Sequence, residues 1–600
     1  MLQELEYPFD AEQILMKKKS LRRRLLEQEE VRTPKKIAIL GGSTTTDIRK
    51  MLELFLLNAG IAPTFYESEY AQYWQDVMFD NPELAAFAPD LIYIHTSTRN
   101  LKEFPTVRQS EAGIDAMLES AYRPFEQMWE KIASVYHCPI IQNNFEPPFY
   151  RLLGNADASD VHGKRNFVLR LNERFYAYAR THENFFIQDI DFLASCYGLQ
   201  KWADPYYWHM YKYALCVPAI PELAYNLGNI IKSIYGKNKK ALVLDLDNTL
   251  WGGIVGDDGP ENIEIGQETS TAQLYSEFQH YLKEHQDLGV LLTVDSKNDA
   301  ENALAGLQRP DSVLHPDDFL VIKANWEPKD RNLVQIAQEL NIGTDSLVFV
   351  DDNPAERHIV KEQVPEAAVP EMTTPEHFIP ILDRAGYFEV TGLSEDDRRR
   401  GEMYRANAAR TRQQAAFGDY REYLISLEMK AEIRPFHPMY MSRIAQLTNK
   451  SNQFNLTTRR CSQAEMEKIA QNPGYITLYG KLEDRFGDNG VVSVIFGHTD
   501  EADPTKFRID LWLMSCRVLK RDMEFAMMDT LAAACAQRGI TDIYGYYYPT
   551  AKNRMVKDFY ALQGFEKITE GPDGNAVWHL DIGSGYEKKN HVIAVNGGEA

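Results

Sequence analysis

Polar motifs that follow apolar, strand-like runs constrain this chain more than any other feature of its sequence. The first is Asp245-Leu246-Asp247, at the end of an apolar run that begins at Ala241. Later runs lead to Ser296-Lys297-Asn298, to Lys329, and to Asp351-Asp352-Asn353. Strands alternate with helical patterns here, which indicates a parallel sheet. Because the carboxyl ends of its strands meet at one crevice, the motifs predict a single site.

The chemistry of the first motif follows from its spacing. Side chains at i and i+2 of a strand end point the same way, so Asp245 and Asp247 can bind a divalent cation through oxygen. Taken alone, the pair is equally typical of a turn with Asx hydrogen bonds. The Ser, Lys and Asp-Asp motifs that follow favour the cation site.

In this order the motifs resemble those of the haloacid dehalogenase (HAD) superfamily. The resemblance implies that Asp245 is the nucleophile that accepts a phosphoryl group, and that Asp247 is the general acid and base. Ser296 and Lys329 would hold the phosphoryl oxygens. The Mg²⁺ ligands that it implies are Asp245, the backbone carbonyl of Asp247, and Asp351 or Asp352, between which the sequence does not choose.

The intervals between these motifs are too short for a cap domain. We therefore expect an open, capless crevice, which favours a large, protein-borne substrate or a crevice covered by a neighbouring domain. This is a modest preference for a carrier-linked substrate over a free small metabolite.

The sequences that flank these motifs resemble those of the FkbH-like branch of the superfamily. The stretches that carry this resemblance are LDLDNTLWGGIVGDD, DSKN, NWEPK, VFVDDNPAER, NKSNQFNLTTRR and MSCRVL, at 244–258, 295–298, 325–329, 348–357, 449–460 and 514–519. FkbH-like proteins are implicated in taking a glyceryl unit from 1,3-bisphosphoglycerate, removing phosphate and loading glyceryl on an acyl carrier protein. The resemblance therefore implies a Mg²⁺-dependent phosphatase and acyltransferase with a phosphorylated donor and a carrier-protein partner.

One departure from the branch leaves other functions open. Its members often have a cysteine before the Ser-Lys-Asn triplet, and this chain has Asp295. A carboxylate forms no thioester there, so a plain capless HAD phosphatase acting on a phosphosugar or another phospho-metabolite is the alternative. A scaffold with an inactive HAD site is a third hypothesis. Cys516 is a candidate thiol carrier, or else a buried structural cysteine.

The N-terminal third predicts a helix within residues 1–34 and a parallel α/β domain over 35–238. This domain resembles the SGNH hydrolase fold. The resemblance implies a nucleophile at Ser43, after a strand and two glycines, with Asp204 and His209 as the other members of a triad. The spacing from Asp204 to His209 departs from the family pattern, and a Ser43 that only caps a helix is the alternative.

The C-terminal part, residues 396–585, predicts a mixed α+β domain that resembles the Gcn5-related acetyltransferase (GNAT) fold. The resemblance places coenzyme A-binding residues at Arg517, Asn553 and Tyr560. Lys520 and Asp522 replace the glycines whose N–H groups cradle the pyrophosphate, so we expect weak binding of acetyl-CoA. Residues 586–600 contain few apolar side chains and predict a flexible tail.

Composition excludes several classes of protein. A length of 600 residues corresponds to roughly three to five domains. The net charge of −22 disfavours nucleic-acid binding, and we see no apolar run long enough for a membrane span. Six scattered cysteines fit a reducing cytoplasm. The predicted fold class is thus α/β multidomain: an SGNH- or flavodoxin-like parallel sheet, a capless Rossmann-like HAD core over 239–395, and an α+β GNAT-like domain.

Overall fold

A computed structural model describes residues 2–28, 31–414, 417–451, 453–550 and 552–596. The chain divides into two compact units. The first runs to Ile234 and includes Glu389–Gly392, and the second contains the remainder from Tyr235 onward. The predicted boundary after residue 238 lies close to this change of unit. The predicted boundary at residue 395 falls inside the second unit and stays a prediction.

The first unit contains a parallel sheet with the strand order β2-β1-β3-β4-β5. Its strands are β1 (Thr33–Gly41), β2 (Ile61–Glu67), β3 (Leu91–His95), β4 (Ile140–Asn143) and β5 (Phe185–Gln188). Every residue of the inner strands β3 and β4 is buried, as expected for a sheet covered by helices on both faces. This is the order of a flavodoxin-like doubly wound sheet, whose direction of winding changes between β1 and β3. The predicted parallel sheet is confirmed.

Helices surround this sheet. They are α1 (Ala11–Glu27), α2 (Thr46–Asn58), α3 (Tyr73–Met78), α4 (Pro82–Phe87), α5 (Glu111–Val135), α6 (Lys164–Thr181), α7 (Ile190–Tyr197), α8 (Leu199–Trp202), α9 (Pro205–Tyr211) and α10 (Ile220–Ile234). Helix α1 matches the predicted N-terminal helix. It begins where the side chain of Asp10 accepts a hydrogen bond from the N–H of Gln13.

The second unit opens with a smaller parallel sheet of order β8-β7-β6-β9. Its strands are β6 (Ala241–Leu244), β7 (Leu291–Ser296), β8 (Val321–Ala324) and β9 (Leu347–Val350). Its helices are α11 (Val255–Asp258), α12 (Ser270–Asp287), α13 (Ala300–Leu307), α14 (Lys329–Glu339), α15 (Pro354–Gln363) and α16 (Phe378–Ala385). All the paired strands run parallel, so their carboxyl ends lie along one edge.

A mixed sheet of order β16-β17-β15-β14-β13-β12-β10-β18 follows, with β11 paired to β14. Its strands are β10 (Lys430–Arg434), β11 (Phe454–Asn455), β12 (Tyr475–Asp484), β13 (Gly487–Thr499), β14 (Lys506–Met514), β15 (Asp542–Tyr547), β16 (Glu566–Glu570), β17 (Ala576–Asp581) and β18 (Ala594–Val595). Its helices are α17 (Glu395–Arg398), α18 (Arg400–Gln414), α19 (Tyr420–Ser426), α20 (Met441–Lys450), α21 (Gln463–Gln471), α22 (Met523–Gln537) and α23 (Phe559–Leu562).

Two expectations about this part are wrong. The pattern from 405 to 427 predicts one helix, whereas α18 and α19 are separate. The predicted flexible tail is packed through Asn596, because Ile593 is fully buried and β18 pairs with β10. Residues 597–600 of that tail lie outside the described part. None of the described helices combines the length and the apolar character that a membrane span requires.

Candidate active site

The ammonium group of Lys329 lies between two buried carboxylates at the edge of the smaller parallel sheet. Its Nζ is 2.9 Å from Asp245 Oδ1 and 2.5 Å from Asp351 Oδ2. Lys329 is 3% exposed, Asp245 7% and Asp351 0%. Burial alone would lower the pKa of Lys329, but the two carboxylates outweigh it and raise that pKa. The sheet thus brings together three of the predicted site residues.

A third carboxylate completes an all-oxygen cluster. Asp245, Asp351 and Asp352 each offer one oxygen, and these oxygens lie within 4.8 Å of one another. Burial raises the pKa of Asp352 and raises that of Asp351 to about 6, and the charge of Asp245 adds to both shifts. An oxygen-only set of mutually repelling acids suits a hard cation such as Mg²⁺. Both members of the Asp351-Asp352 pair therefore belong to the candidate metal site.

The turn that carries Asp351 and Asp352 is held by several hydrogen bonds. The Asn353 N–H donates to Asp351 Oδ1 at 2.8 Å, and the Asn353 side chain caps α15. Arg357 Nη1 donates to the backbone carbonyls of both aspartates, at 2.9 and 2.7 Å. Thr249 Oγ1 accepts from the Asp352 N–H at 3.2 Å. These contacts fix the acid pair before any ligand binds.

Asp247 is held by three donors. Trp251 Nε1 and the Val255 N–H donate to its Oδ1 at 2.9 and 3.0 Å, and Asn298 Nδ2 donates to its Oδ2 at 2.7 Å. Burial still raises the pKa of Asp247, although these hydrogen bonds act to lower it. Asn298 Nδ2 also donates to Ser296 Oγ at 3.2 Å, so one amide orients two predicted site residues. The sequence motif contains Asn298 but gave it no role.

Asp295 is fully buried beside this site. Its Oδ1 accepts a hydrogen bond from Asn332 Nδ2 at 3.0 Å, and its Oδ2 has no hydrogen-bond partner among the described residues. The same Asn332 nitrogen donates to Asn325 Oδ1 at 2.9 Å. Burial raises the pKa of Asp295 to about 7 against the lowering effects of Asn332 and Lys329. This carboxyl group therefore faces protein rather than the open crevice.

Comparison with known proteins agrees with these motifs. A family model described as the FkbH N-terminal domain matches residues 36–232. A crystal structure of the N-terminal part of protein BF1531 from Bacteroides fragilis, which contains a phosphatase domain complexed with Mg, is 30% identical with a TM-score of 0.58. That match covers 62% of this chain and 99% of the Bacteroides fragilis chain. The chain belongs to the FkbH-like family of HAD proteins.

Other solved structures match a quarter of this FkbH-like chain. Ard1 from Thermoplasma volcanium is 18% identical over 25% of this chain and 97% of its own, with a TM-score of 0.19. An acetyltransferase from Thermus thermophilus is 13% identical over 26% of this chain and 99% of its own, with a TM-score of 0.21. Matches with TM-scores this low do not establish the fold of the C-terminal domain. No curated protein matches the chain.

The predicted triad of the N-terminal domain is not assembled. Ser43 is buried, and its Oγ makes no hydrogen bond within the described part of the chain. Asp204 instead caps α9 through the N–H of Tyr206, and His209 is exposed on that helix. The structure therefore leaves Ser43 without the base that catalysis by a triad needs. Ser43 is also not a helix cap, since α2 begins after Thr45.

The loop predicted to bind coenzyme A has an unusual backbone. Lys520 and Asp522, which replace the expected glycines, have φ angles of +62° and +60°. The backbone at both positions therefore has a conformation that favours glycine, although both residues have side chains. Arg521 turns inward and donates to Asp484 Oδ2 at 3.2 Å and to the Arg517 carbonyl at 2.7 Å.

Of the other predicted residues of the C-terminal domain, Arg517 is half-buried and its Nε donates to Ser515 Oγ at 3.3 Å, whereas Asn553 and Tyr560 are fully buried. Asn553 accepts from the Thr550 N–H and donates to the backbone carbonyls of Asn455 and Tyr548. Tyr560 is fully buried in the domain core. The side chain of Cys516 lies outside the described part of the structure. These contacts give Asn553 and Tyr560 a packing role in the domain.

Proposed function

We propose that this protein is a Mg²⁺-dependent HAD-type phosphatase that acts on a phosphorylated acyl donor and transfers the acyl group to an acyl carrier protein. The observation that carries the proposal is the placement of Lys329 between Asp245 and Asp351, with Asp352 in the same oxygen cluster. The family membership, and the phosphatase domain of the Bacteroides fragilis protein, support it.

In the first half of the proposed reaction, a carboxylate oxygen of Asp245 attacks the phosphorus of the donor's phosphate ester and leaves its acyl phosphate intact. An oxygen–phosphorus bond forms at Asp245, and the bond from phosphorus to the leaving oxygen breaks. Lys329 and Ser296 hold the phosphoryl oxygens, and the buried position of Lys329 strengthens its interaction with the charge that develops there. Bound Mg²⁺ supplies charge neutralisation for the incoming phosphate.

Asp247 moves the protons. Its raised pKa favours the protonated form that gives its proton to the leaving oxygen. The same carboxylate then takes a proton from water, whose oxygen attacks phosphorus and releases inorganic phosphate from Asp245. The hydrogen bonds from Trp251, Val255 and Asn298 hold Asp247 in one orientation for both steps.

The acyl part of the proposal rests on how the site meets its substrate. In the described structure only the short helix α11 lies between β6 and α12, and only α13, β8 and a short 3-10 turn lie between β7 and α14, so neither interval contains a cap domain. We propose that a phosphopantetheine arm reaches the strand edge from this uncapped side. Because Asp295 is buried and bonded to Asn332, it is no acyl carrier. We expect the carrier thiol to attack the acyl carbon directly, so that a carbon–sulfur bond forms and the acyl phosphate leaves as inorganic phosphate, while Asp245 takes the phosphoryl group of the donor's phosphate ester. The proposed donor is an acyl phosphate such as 1,3-bisphosphoglycerate.

A plain phosphatase is the second candidate. The observation that favours it is again Asp295, because no described thiol takes the place of an acyl-carrying cysteine at the end of β7. In this case water alone accepts the phosphoryl group, and the substrate is a phosphosugar or another phospho-metabolite.

The phosphatase proposal is tested by phosphate release from 1,3-bisphosphoglycerate, with Mg²⁺ and with a chelator. We expect Asp245→Asn to lower turnover by orders of magnitude, since it keeps the shape of the nucleophile and removes its charge. Asp287→Asn, on the exposed end of α12, is the matched control and should keep wild-type turnover. Wild-type turnover by Asp245→Asn would refute the assignment.

The acyl-transfer proposal needs a separate experiment. The protein is incubated with Mg²⁺, 1,3-bisphosphoglycerate and an acyl carrier protein, and the mass of the carrier protein is then measured by mass spectrometry. A glyceryl adduct on the phosphopantetheine thiol supports transfer. Phosphate release without an adduct supports the plain phosphatase instead.

A further inference from the structure

Polar residues that the proposed phosphatase site does not use lie where the first sheet changes its direction of winding, between β1 and β3. Ser43 follows β1, and His95 ends β3, the neighbouring parallel strand. Gly42 joins them, since its N–H donates to the His95 carbonyl at 2.8 Å. The Gly42 carbonyl accepts from Asn100 Nδ2 at 2.7 Å, which brings Arg99 to the same edge. Ligands of doubly wound sheets bind at this point.

Three buried polar atoms at this edge have no hydrogen-bond partner among the described residues. They are Ser43 Oγ, His95 Nε2 and Arg99 Nε. Ser43 is 3% exposed and His95 is 1% exposed. One unsatisfied buried group costs about 1–3 kcal/mol. The three atoms belong to segments that the hydrogen bonds of Gly42 connect, and they point to a group that this part of the chain does not supply.

The hydrogen-bond network of His95 defines which nitrogen is the donor. Tyr93 OH and Asn143 Nδ2 both lie 2.9 Å from His95 Nδ1. Asn143 Nδ2 also donates to the Thr96 carbonyl at 3.0 Å, which sets the orientation of the Asn143 amide. In this orientation of the amide, His95 Nδ1 accepts the hydrogen bond. Burial lowers the pKa of His95 to about 4, so the ring is neutral at pH 7 and Nε2 carries its hydrogen. His95 therefore offers an N–H donor on the side of the ring away from Asn143.

Arg99 supplies positive charge. Its guanidinium lies 5.4 Å from the Phe149 ring centroid and 5.6 Å from that of Trp208. Within the described chain its side chain forms no ion pair. Glu146 is the buried acid nearby, and both of its oxygens accept hydrogen bonds from Thr98. The charge of Arg99 acts to lower the pKa of Glu146, but burial outweighs it and raises that pKa. The guanidinium is therefore available to an anion from outside the chain.

Helix α9 lies over this edge through few contacts. Thr44 donates from its N–H to the Lys212 carbonyl at 2.9 Å and from Oγ1 to the Tyr211 carbonyl at 2.7 Å. No side chain of α9 is buried, so little apolar area opposes a shift that opens the edge to a ligand. Lys212, 5.6 Å from the Trp208 ring centroid, adds a second cation there.

We propose that this edge is an anion-binding site, at which Arg99, Ser43 Oγ and His95 Nε2 donate to the oxygens of a carboxylate or phosphate group. All three groups are hydrogen-bond donors and Arg99 is charged, which suits the oxygens of an anion. The site lies within the first unit and does not depend on the proposed phosphatase activity.

The test is calorimetric titration of the full chain in EDTA with inorganic phosphate and, separately, with acetate. We expect at least one of the two anions to bind, and Arg99→Gln to weaken that binding at least tenfold. Arg180→Gln is the matched control, because Arg180 is exposed and pairs with Glu173 on its own helix, α6, and it should bind as wild type. Any phosphate bound at Asp245 and Lys329 contributes equally to all three proteins.

Two further variants keep the test decisive if Arg99→Gln does not fold. Arg99→Lys keeps the charge but loses the planar fork, and Ser43→Ala removes one donor, so each should weaken binding several-fold. Binding of phosphate alone or acetate alone identifies the ligand class. Equal binding of both anions by wild type, Arg99→Lys and Ser43→Ala, or an equal loss in Arg180→Gln, would overturn the site.

Discussion

Replacing Asp295 with Asn should make the metal-free protein more stable at alkaline pH. Asparagine keeps the oxygen that accepts from Asn332 but cannot ionise. The pKa of Asp295 rises from 3.8 to about 7 on folding, chiefly through burial. A raised pKa stabilises the fold fully below the unfolded value, and this contribution is lost as pH rises through the folded value. At about 1.4 kcal/mol per pKa unit, the loss above pH 8 is on the order of 4 kcal/mol.

The assay is urea unfolding in EDTA at several pH values from 5 to 8. We expect the stability difference between Asp295→Asn and wild type to grow by roughly 2–3 kcal/mol over this range, as the linkage relation requires. Asp287→Asn should show no such trend. EDTA is needed because a bound cation near the site would lower the pKa of Asp295. If both proteins have the same pH dependence, Asp295 is ionised in the folded state and the burial argument is wrong.

Three other changes test neighbouring parts of the account. Lys329→Met leaves two buried carboxylates unpaired, so the unfolding free energy measured in urea without divalent cations should fall by about 3–5 kcal/mol; an unchanged value would contradict the buried ion pairs. Asn298→Ala frees Asp247 and Ser296 and should lower kcat for phosphate release by roughly 10–100-fold, with KM less affected. Because Lys520 and Asp522 fill the loop expected to bind coenzyme A, calorimetry should give a Kd for acetyl-CoA of about 1 mM or weaker. Micromolar binding would show that the loop accommodates the cofactor.

The sequence predicts the fully buried strands better than the partly exposed ones. The apolar runs 91–95, 140–142 and 346–350 predict strands; β3 matches the first, and β4 and β9 differ from the other two by one residue. All three strands are fully buried, although β9 forms an edge of its sheet. The pattern missed β2 and β5, which form the two edges of the first sheet. β2 is mostly half-buried and contains Pro63, and both features weaken the apolar signal of an edge strand.

The residues of the candidate active site that lie at strand ends were predictable from the sequence. The contacts between their side chains were not. Asp245, Lys329 and Asp351 meet because parallel strands end along one edge. The bond from Asn332 to Asp295 joins residues 37 positions apart, and no spacing rule indicates it. The predicted triad of Ser43, Asp204 and His209 is wrong for a similar reason, because the Asp204 side chain caps α9 instead.

The central claim is that Asp245 accepts the phosphoryl group. The most direct measurement is rapid acid quenching of the wild-type protein with Mg²⁺ and 1,3-bisphosphoglycerate, followed by peptide mapping by mass spectrometry. The account predicts one phosphoryl group on the peptide that contains Asp245, and none in Asp245→Asn. A phosphoryl group on a different residue, or turnover with no phosphorylated peptide at any quench time, would contradict it.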